Sequence, residues 1–217
     1  MTRLVAVSAV AACWLVVLTA QLPAQQAPDP VRAAFRALGA SQVRSLRFTG
    51  FGATYAAAQG PSLQQRWARI PLRDYVAEVD YAAPAMRVRP QHATERLRQI
   101  WATPHGFLKA ASANSATTRT VALGTEVSFS ADGRRFVGIL NNQHLVDRVQ
   151  TWEDNPALGD RLVETFYRDY ERHGPVMFPR HITQHRDGFP TLDIWVATVD
   201  VNRPLERRFE GVAPAGR

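Results

Sequence analysis

The sequence has almost no cysteine and almost no lysine. Its one cysteine, Cys13, lies inside the first apolar run, so neither a disulfide framework nor thiol chemistry is expected in the folded part of the chain. Lys109 is the one lysine among 26 basic residues, and the arginines are scattered along the chain. The net charge of +7 therefore indicates a solvated surface and no nucleic-acid partner.

Catalytic and metal-binding motifs are also missing from the sequence. It contains no G-x-S-x-G elbow, no H-E-x-x-H motif and no aspartate-rich calcium loop. The best metal candidates are His181 and His185, but residues four apart on a strand lie about 13 Å apart, too far to bind one zinc ion. Acid pairs such as Glu78 with Asp80 have solvent-type surroundings. We expect no catalytic residue, no metal site and no cofactor.

An apolar run over residues 4–20 has a basic start and a small-residue exit, which is the pattern of a secretory signal peptide. We expect residues 1–24 to be removed, with cleavage after Ala20 as the alternative, and residues 25–30 to form a flexible leader. An uncleaved membrane anchor and a lipid-modified Cys13 are further alternatives. The expected location is the periplasm or the exterior, with no membrane span after cleavage.

Two short helices are predicted from their capping residues. Asp29 is an N-cap residue followed by Pro30 at the first helical position, and Gly39 can adopt the left-handed stop. Thr103 and Pro104 repeat the start signal ahead of a second apolar stretch.

Segments with strand periodicity, separated by tight-turn residues, fill the rest of the chain. They cover residues 43–55, 72–81, 120–130, 134–140, 145–152, 162–170, 177–185 and 191–201. Because the intervals between most of them are too short for helical crossovers, neighbours must pair antiparallel. The predicted fold class is α+β, mainly β: a meander sheet curled as a half-barrel around one or two helices. It forms a single domain at 31–202, followed by a tail at 203–217; an immunoglobulin-like sandwich is the alternative.

Aromatic residues are the candidates for a binding site. In a half-open curled sheet, aromatic side chains between sheet and helices can line a cavity for an apolar ligand. The candidate lining residues are Trp101, Phe107, Trp152, Phe166, Tyr167, Phe178 and Trp195. The alternative is that these side chains fill the core.

Several motifs of the chain resemble those of a known family. They are residues 48–52 (FTGFG), 79–81 (VDY), 84–87 (PAMR), 100–111 (IWATPHGFLKAA), 149–152 (VQTW) and 178–182 (FPRHI). Together they resemble the N-terminal region of secreted bacterial metallo-β-lactamase-fold hydrolases. The resemblance implies a non-catalytic region whose curled sheet is similar to that of the periplasmic lipoprotein carriers of the LolA/LolB type.

Two features depart from that family. The H-x-H-x-D-H motif of its zinc domain is absent, and only residues 88–100 fill an interval where the family has further strand-forming sequence. Zinc hydrolysis is therefore not implied, and the sheet is expected to lack a strand or two. We expect an exported, non-enzymatic binding or accessory domain for a hydrophobic small molecule, a lipid or an envelope protein. The alternative is a detached amino-terminal piece of such a hydrolase.

Overall fold

The computed structural model describes residues 29–56, 68–89, 100–156 and 159–204. The predicted signal peptide, residues 25–28 of the predicted leader and residues 205–217 of the predicted tail lie outside the described residues.

The first predicted helix forms and begins at the capping residue that the sequence indicates. Helix α1 covers Pro30–Leu38, and the Asp29 carboxylate accepts a hydrogen bond of 2.9 Å from the Val31 amide. Gly39 ends the helix in the left-handed conformation, at φ 68°. A 3-10 turn at Ala40–Gln42 follows.

The second predicted helix also forms. Helix α2 covers Pro104–Ala113 and comes after a helical turn at residues 100–102. The Thr103 hydroxyl accepts a hydrogen bond of 3.2 Å from the Gly106 amide and donates one of 2.7 Å to the Ile100 carbonyl. Thr103 therefore caps α2 and joins it to the preceding turn.

Within the described residues, ten strands form one antiparallel sheet. They are β1 Ser45–Ala56, β2 Ala68–Asp80, β3 Ala85–Arg89, β4 Thr117–Val121, β5 Gly124–Ala131, β6 Arg134–Leu140, β7 Val146–Glu153, β8 Arg161–His173, β9 Val176–Arg186 and β10 Phe189–Val201. Their order is β3-β2-β1-β10-β9-β8-β7-β6-β5-β4. Strands that follow one another in the chain pair, except β3 and β4, and β1 also pairs with β10. Because β3 and β4 remain as edges, the sheet does not close, and the predicted curled antiparallel meander is confirmed.

The joint between β1 and β10 is secured by Asn202. Its side-chain oxygen accepts hydrogen bonds of 2.7 Å from the Arg44 amide and 3.3 Å from the Ser45 amide. Its side-chain nitrogen donates a bond of 2.6 Å to the Gln42 carbonyl. Asn202 has φ 58°, a left-handed conformation that asparagine adopts more readily than most residues.

The prediction of one strand over residues 120–130 is wrong, because the chain reverses inside it. Strand β4 ends at Val121, residues 122–123 turn, and β5 begins at Gly124 with φ 133°, a conformation that favours glycine. Strand β3 is a second difference, since the sequence analysis places no strand at Ala85–Arg89. Its pattern is too short and too rich in arginine to be recognised without β2 beside it.

Both helices pack on one face of the sheet, which we call the inner face. Leu38 of α1 and Phe107 and Leu108 of α2 are buried in one apolar cluster with residues from most strands. The opposite, outer face has rows of charged side chains. Among the described residues, no helix is both long and apolar enough to cross a membrane.

Candidate ligand-binding site

The two ends of the inner face differ. At one end, α1 closes the sheet: a Cβ atom on Gly39 would lie 2.2 Å from the Pro175 carbonyl oxygen in the β8–β9 turn, so helix and turn are in direct contact. At the same end, the Tyr81 amide donates to the Arg44 carbonyl at 2.8 Å. The far end of the same strands has no described helix against it.

At that far end, one row of paired inner-face residues crosses five strands. We call it the rim row, and it consists of Ile70, Thr54, Leu192, Gln184 and Thr165. The Ile70 side chain is 44% exposed, and Leu192 is only partly buried. The Gln184 amide donates to the Thr165 hydroxyl at 3.3 Å. The rim row thus combines two partly exposed apolar side chains, Ile70 and Leu192, with three polar ones.

The next row toward the helices is buried and apolar. We call it the floor row, and it consists of Leu72, Gly52, Ile194, Ile182 and Tyr167. Gly52 permits close packing here, since a Cβ at that position would lie 1.9 Å from the Asp193 carbonyl oxygen. The two apolar rim residues, Ile70 and Leu192, are therefore next to a buried row that is largely apolar.

Buried polar groups of the inner face pair mainly with backbone carbonyls. The Tyr167 hydroxyl donates to the Ala102 carbonyl, and the Tyr170 hydroxyl donates to the Val146 carbonyl at 2.7 Å. Burial raises the pKa of both phenols well above the ordinary value. These tyrosines therefore remain neutral donors and supply no acid–base group.

His105 is the most deeply buried titratable residue of α2. Its side chain is fully buried, and its Nε2 atom lies 3.2 Å from the Leu38 carbonyl oxygen. A carbonyl can only accept, so Nε2 carries the proton and Nδ1 has a free lone pair. Nδ1 is buried without a hydrogen-bond partner. Burial lowers the His105 pKa to about 4, so the ring is neutral at physiological pH.

Lys109 lies one turn further along α2. Its Nζ atom is 5.8 Å from the ring centroids of both Phe35 and Tyr81, within cation–π distance. Burial lowers the pKa of the ammonium, and no described carboxylate contributes to the shift. Lys109 is thus a partly desolvated cation held by two aromatic rings.

The seven predicted lining residues are divided between the two faces of the sheet. Phe107, Tyr167 and Phe178 are buried at the inner face, and the partly buried Trp101 packs against the same cluster. The Trp101 indole N–H donates to Asp132 at 3.2 Å. The structure therefore brings four of the seven together around the inner face.

The other three, Trp152, Phe166 and Trp195, lie on the outer face. The Arg135 guanidinium lies 5.2 Å from the Trp152 ring, and Phe166 contacts the His185 ring at 5.4 Å. Trp195 is 40% exposed and stacks on His181 at 4.1 Å. The sequence contains a signal for this: Phe166 alternates with Glu164 and Arg168, whereas Tyr167 alternates with Val163 and Thr165.

The two histidines considered for zinc share the outer face of β9 without converging. The His181 Nε2 atom bonds to the Asp193 carboxylate at 2.8 Å, whereas His185 contacts Phe166. Within the described ranges, no three His, Cys, Asp or Glu side chains come together as a metal site requires.

The residues that distinguish the inner face are not among the predicted site residues. The predicted second strand begins at Leu72 and leaves out Ile70, because Arg69 and Pro71 interrupt a clear strand pattern. In the sequence analysis, Lys109 is considered only as a basic residue. The i, i+4 spacing of His105 and Lys109 after the Thr103 cap is the sequence pattern that indicates that both side chains lie on one side of the helix.

Comparisons of this chain with protein-family models, with curated proteins and with solved structures found no match.

Proposed function

We propose that this chain is an exported, non-enzymatic binding domain that takes an apolar ligand on the inner face of its open sheet. The observation that carries the proposal is that two partly exposed apolar side chains of the rim row, Ile70 and Leu192, adjoin the buried floor row. An apolar ligand gains about 25 cal/mol for each Å² of apolar surface removed from water, and Ile70 and Leu192 offer such surface beside the core.

The inner face also supports binding over catalysis. Tyr167 and Tyr170 donate to backbone carbonyls, and His105 is neutral and fully buried. General acid–base chemistry needs a group whose pKa lies near the working pH and whose proton can reach a substrate. A non-reactive apolar face fits a carrier or accessory module.

The proposal is tested by a matched pair of variants. Ile70 on the inner face and Phe51 on the outer face are both large, exposed apolar residues, on adjacent strands. We would titrate wild type, Ile70→Glu and Phe51→Glu with the neutral fluorescent probe N-phenyl-1-naphthylamine. We expect roughly tenfold weaker binding for Ile70→Glu, and affinity close to wild type for Phe51→Glu.

Thermal unfolding of both variants serves as the folding control. Equal weakening by the two variants, or no probe binding by folded wild-type protein, would overturn the proposal. Turnover of an ester, lactam or phosphoester by the purified protein would also contradict it.

The resemblance of residues 100–111 to metallo-β-lactamase-fold hydrolases supports a second candidate, an amino-terminal piece separated from such a hydrolase. In this chain that stretch supplies the Thr103 cap and the buried side chains of α2, so helix capping and core packing also account for its sequence. The nucleotide sequence downstream of the Arg217 codon tests the candidate: an adjacent H-x-H-x-D-H motif supports it, and unrelated sequence removes it.

A further inference from the structure

Strand β4 is one edge of the sheet, and within the described ranges no strand lies beyond it. It is the last strand in the sheet order and pairs with β5, from Thr117 opposite Ser128 to Val121 opposite Gly124, without a shift in register. Residues 117–120 are exposed to solvent. An unpaired edge presents a row of backbone N–H and C=O groups to which another strand can bind.

The β4–β5 turn determines which backbone groups of β4 are free. Only two residues separate Val121 from Gly124, so these two form the hydrogen-bonded pair that closes the hairpin. Hydrogen-bonded and non-hydrogen-bonded pairs alternate along an antiparallel ladder. Val121 and Arg119 therefore direct their N–H and C=O groups toward β5, whereas those of Thr118 and Thr120 point away from the sheet.

The sequence of β4 lacks the features that protect exposed edges. Its residues, TTRTV, include no proline and no lysine, and all except the arginine are β-branched. The charge of Arg119 is already paired within the hairpin, because its guanidinium donates to both carboxylate oxygens of Glu126 at 2.8 Å. The free edge is therefore compatible with a second strand.

The tip of the same hairpin has an exposed apolar side chain. Leu123, in the β4–β5 turn, is 67% exposed, which exceeds the exposure of Phe51 and of Ile70. Apolar surface beside an unpaired edge adds area that an approaching chain can remove from water.

We infer that β4 is a dimerisation strand, which pairs antiparallel with β4 of a second copy of this chain about a twofold axis. The axis is at Thr118, which lies opposite the partner's Thr118. Thr117 then lies opposite the partner's Arg119, and Ala116 opposite the partner's Thr120. This inference is independent of the proposed function.

The register follows from the free backbone groups. A residue on the twofold axis must be one whose N–H and C=O groups point away from β5, which leaves Thr118 or Thr120. An axis at Thr120 would place Thr118 opposite Ala122 in the turn, so fewer strand residues would pair. With the axis at Thr118, the two Arg119 side chains are not directly opposite each other, and like charges stay apart.

A second copy at β4 also explains why association would stop at two chains. Pairing of β4 with β3 of another copy would be head-to-tail and would leave a free edge at each end of a growing filament. Pairing of β4 with itself uses the same surface on both copies and closes. In this antiparallel arrangement, the hairpin tip with Leu123 extends toward the end of the partner's α2, where its apolar surface can be covered.

Sedimentation equilibrium of the wild-type protein tests for the dimer. Because the interface is short, we expect the average mass to rise from one chain toward two between roughly 10 and 1000 µM. Thr118→Pro removes the N–H group at the axis without breaking a bond to β5, and it should weaken the dimer roughly tenfold or more. Thr118→Ala keeps the backbone groups and should dimerise as wild type does. Thermal unfolding of both variants is the folding control.

A second variant avoids any change to the backbone. Thr118→Asp places two carboxylates opposite each other at the axis, so it should also weaken the dimer. It keeps every bond between β4 and β5, and its thermal unfolding should be close to that of Thr118→Ala.

Disulfide cross-linking tests the register. With Cys13→Ser in the background, Thr118→Cys should form a disulfide-linked dimer, because paired residues on the axis have Cα atoms about 5.5 Å apart. Thr120→Cys is the matched control, since it has the same free edge and the same face of the strand. It lies about 13 Å or more from the partner's Thr120 and should not cross-link.

The inference fails if wild type is monomeric at every concentration, or if folded Thr118→Pro and Thr118→Asp both dimerise as wild type does. Cross-linking of Thr120→Cys in place of Thr118→Cys would contradict the register. A wild-type chain that stays monomeric alone but pairs through β4 with a different protein would overturn the assignment of a second copy.

Discussion

The ring of Phe107 lies directly on the backbone of Gly138. A Cβ atom at Gly138 would be 2.3 Å from the Phe107 Cζ atom, well inside van der Waals contact. This contact sets how closely α2 approaches the centre of β6.

Gly138→Ala should therefore lower the free energy of unfolding by about 1–3 kcal/mol, because the added methyl group overpacks the contact. Urea denaturation measures the loss. The double variant Phe107→Leu with Gly138→Ala should lose less than the sum of the two single variants, since the smaller side chain makes room. Wild-type stability for Gly138→Ala would contradict the packing described.

His105 makes stability depend on pH. In the unfolded chain its pKa is the ordinary 6.5, and burial lowers it to about 4 in the folded protein. Between these values the unfolded state binds the extra proton, so stability should fall as the pH drops from 6.5 toward 4, by about 3 kcal/mol in total.

Urea denaturation across this pH range, with wild type and His105→Gln, isolates the effect. The difference in unfolding free energy between the two proteins should change with pH, because only wild type has the His105 side chain. Carboxylate titration is common to both proteins and cancels in the difference. A pH-independent difference for His105→Gln would show that His105 does not resist protonation.

Asn202 should contribute to stability through its side-chain bonds and its backbone conformation. Asn202→Gly keeps access to φ 58° but loses the bonds to Gln42, Arg44 and Ser45, and we expect a loss of about 1 kcal/mol. Asn202→Ala adds backbone strain and should lose about 1 kcal/mol more. Thermal unfolding of the two variants gives the order. Equal stability of glycine and alanine variants would contradict the role of the left-handed conformation.

Glu78 is buried within a row of charges on the outer face. It bonds to Arg87 at 2.9 Å and lies 3.8 Å from Arg47, which in turn contacts Asp200 at 3.4 Å. Glu78→Gln leaves the arginines without their central anion and should cost about 1–3 kcal/mol. Asp200→Asn, at the more exposed end of the row, should cost less than about 1 kcal/mol. Similar losses in a chemical denaturation experiment would show that burial of Glu78 is unimportant.

Local chemistry made much of the fold predictable. Asp29, Gly39 and Thr103 cap helices as expected, because a cap depends on side-chain and backbone groups a few residues apart. The alternation of Tyr75, Ala77 and Val79 predicted which face of β2 is buried, since successive side chains of a strand point to opposite faces.

Other features depend on residues far apart in the chain. The pairing of β1 with β10 and the strand identity of Ala85–Arg89 become clear only when a partner strand lies alongside. The candidate lining residues include inner-face residues such as Tyr167 and outer-face residues such as Trp195, because aromatic composition alone does not tell which face of a strand a side chain is on. The alternation of side chains between the two faces is itself interrupted where the strand register shifts, as it does between Thr49 and Gly50.

By itself, the sequence determined the helix caps, the alternating strands and the antiparallel meander, because each follows from covalent geometry over a few residues. Only the tertiary structure decided that Ile70 lies on the rim row and that Lys109 sits between Phe35 and Tyr81 without a described acid. Those surroundings come from segments distant in sequence, and their effect on burial and charge exists only once the sheet has curled around its helices.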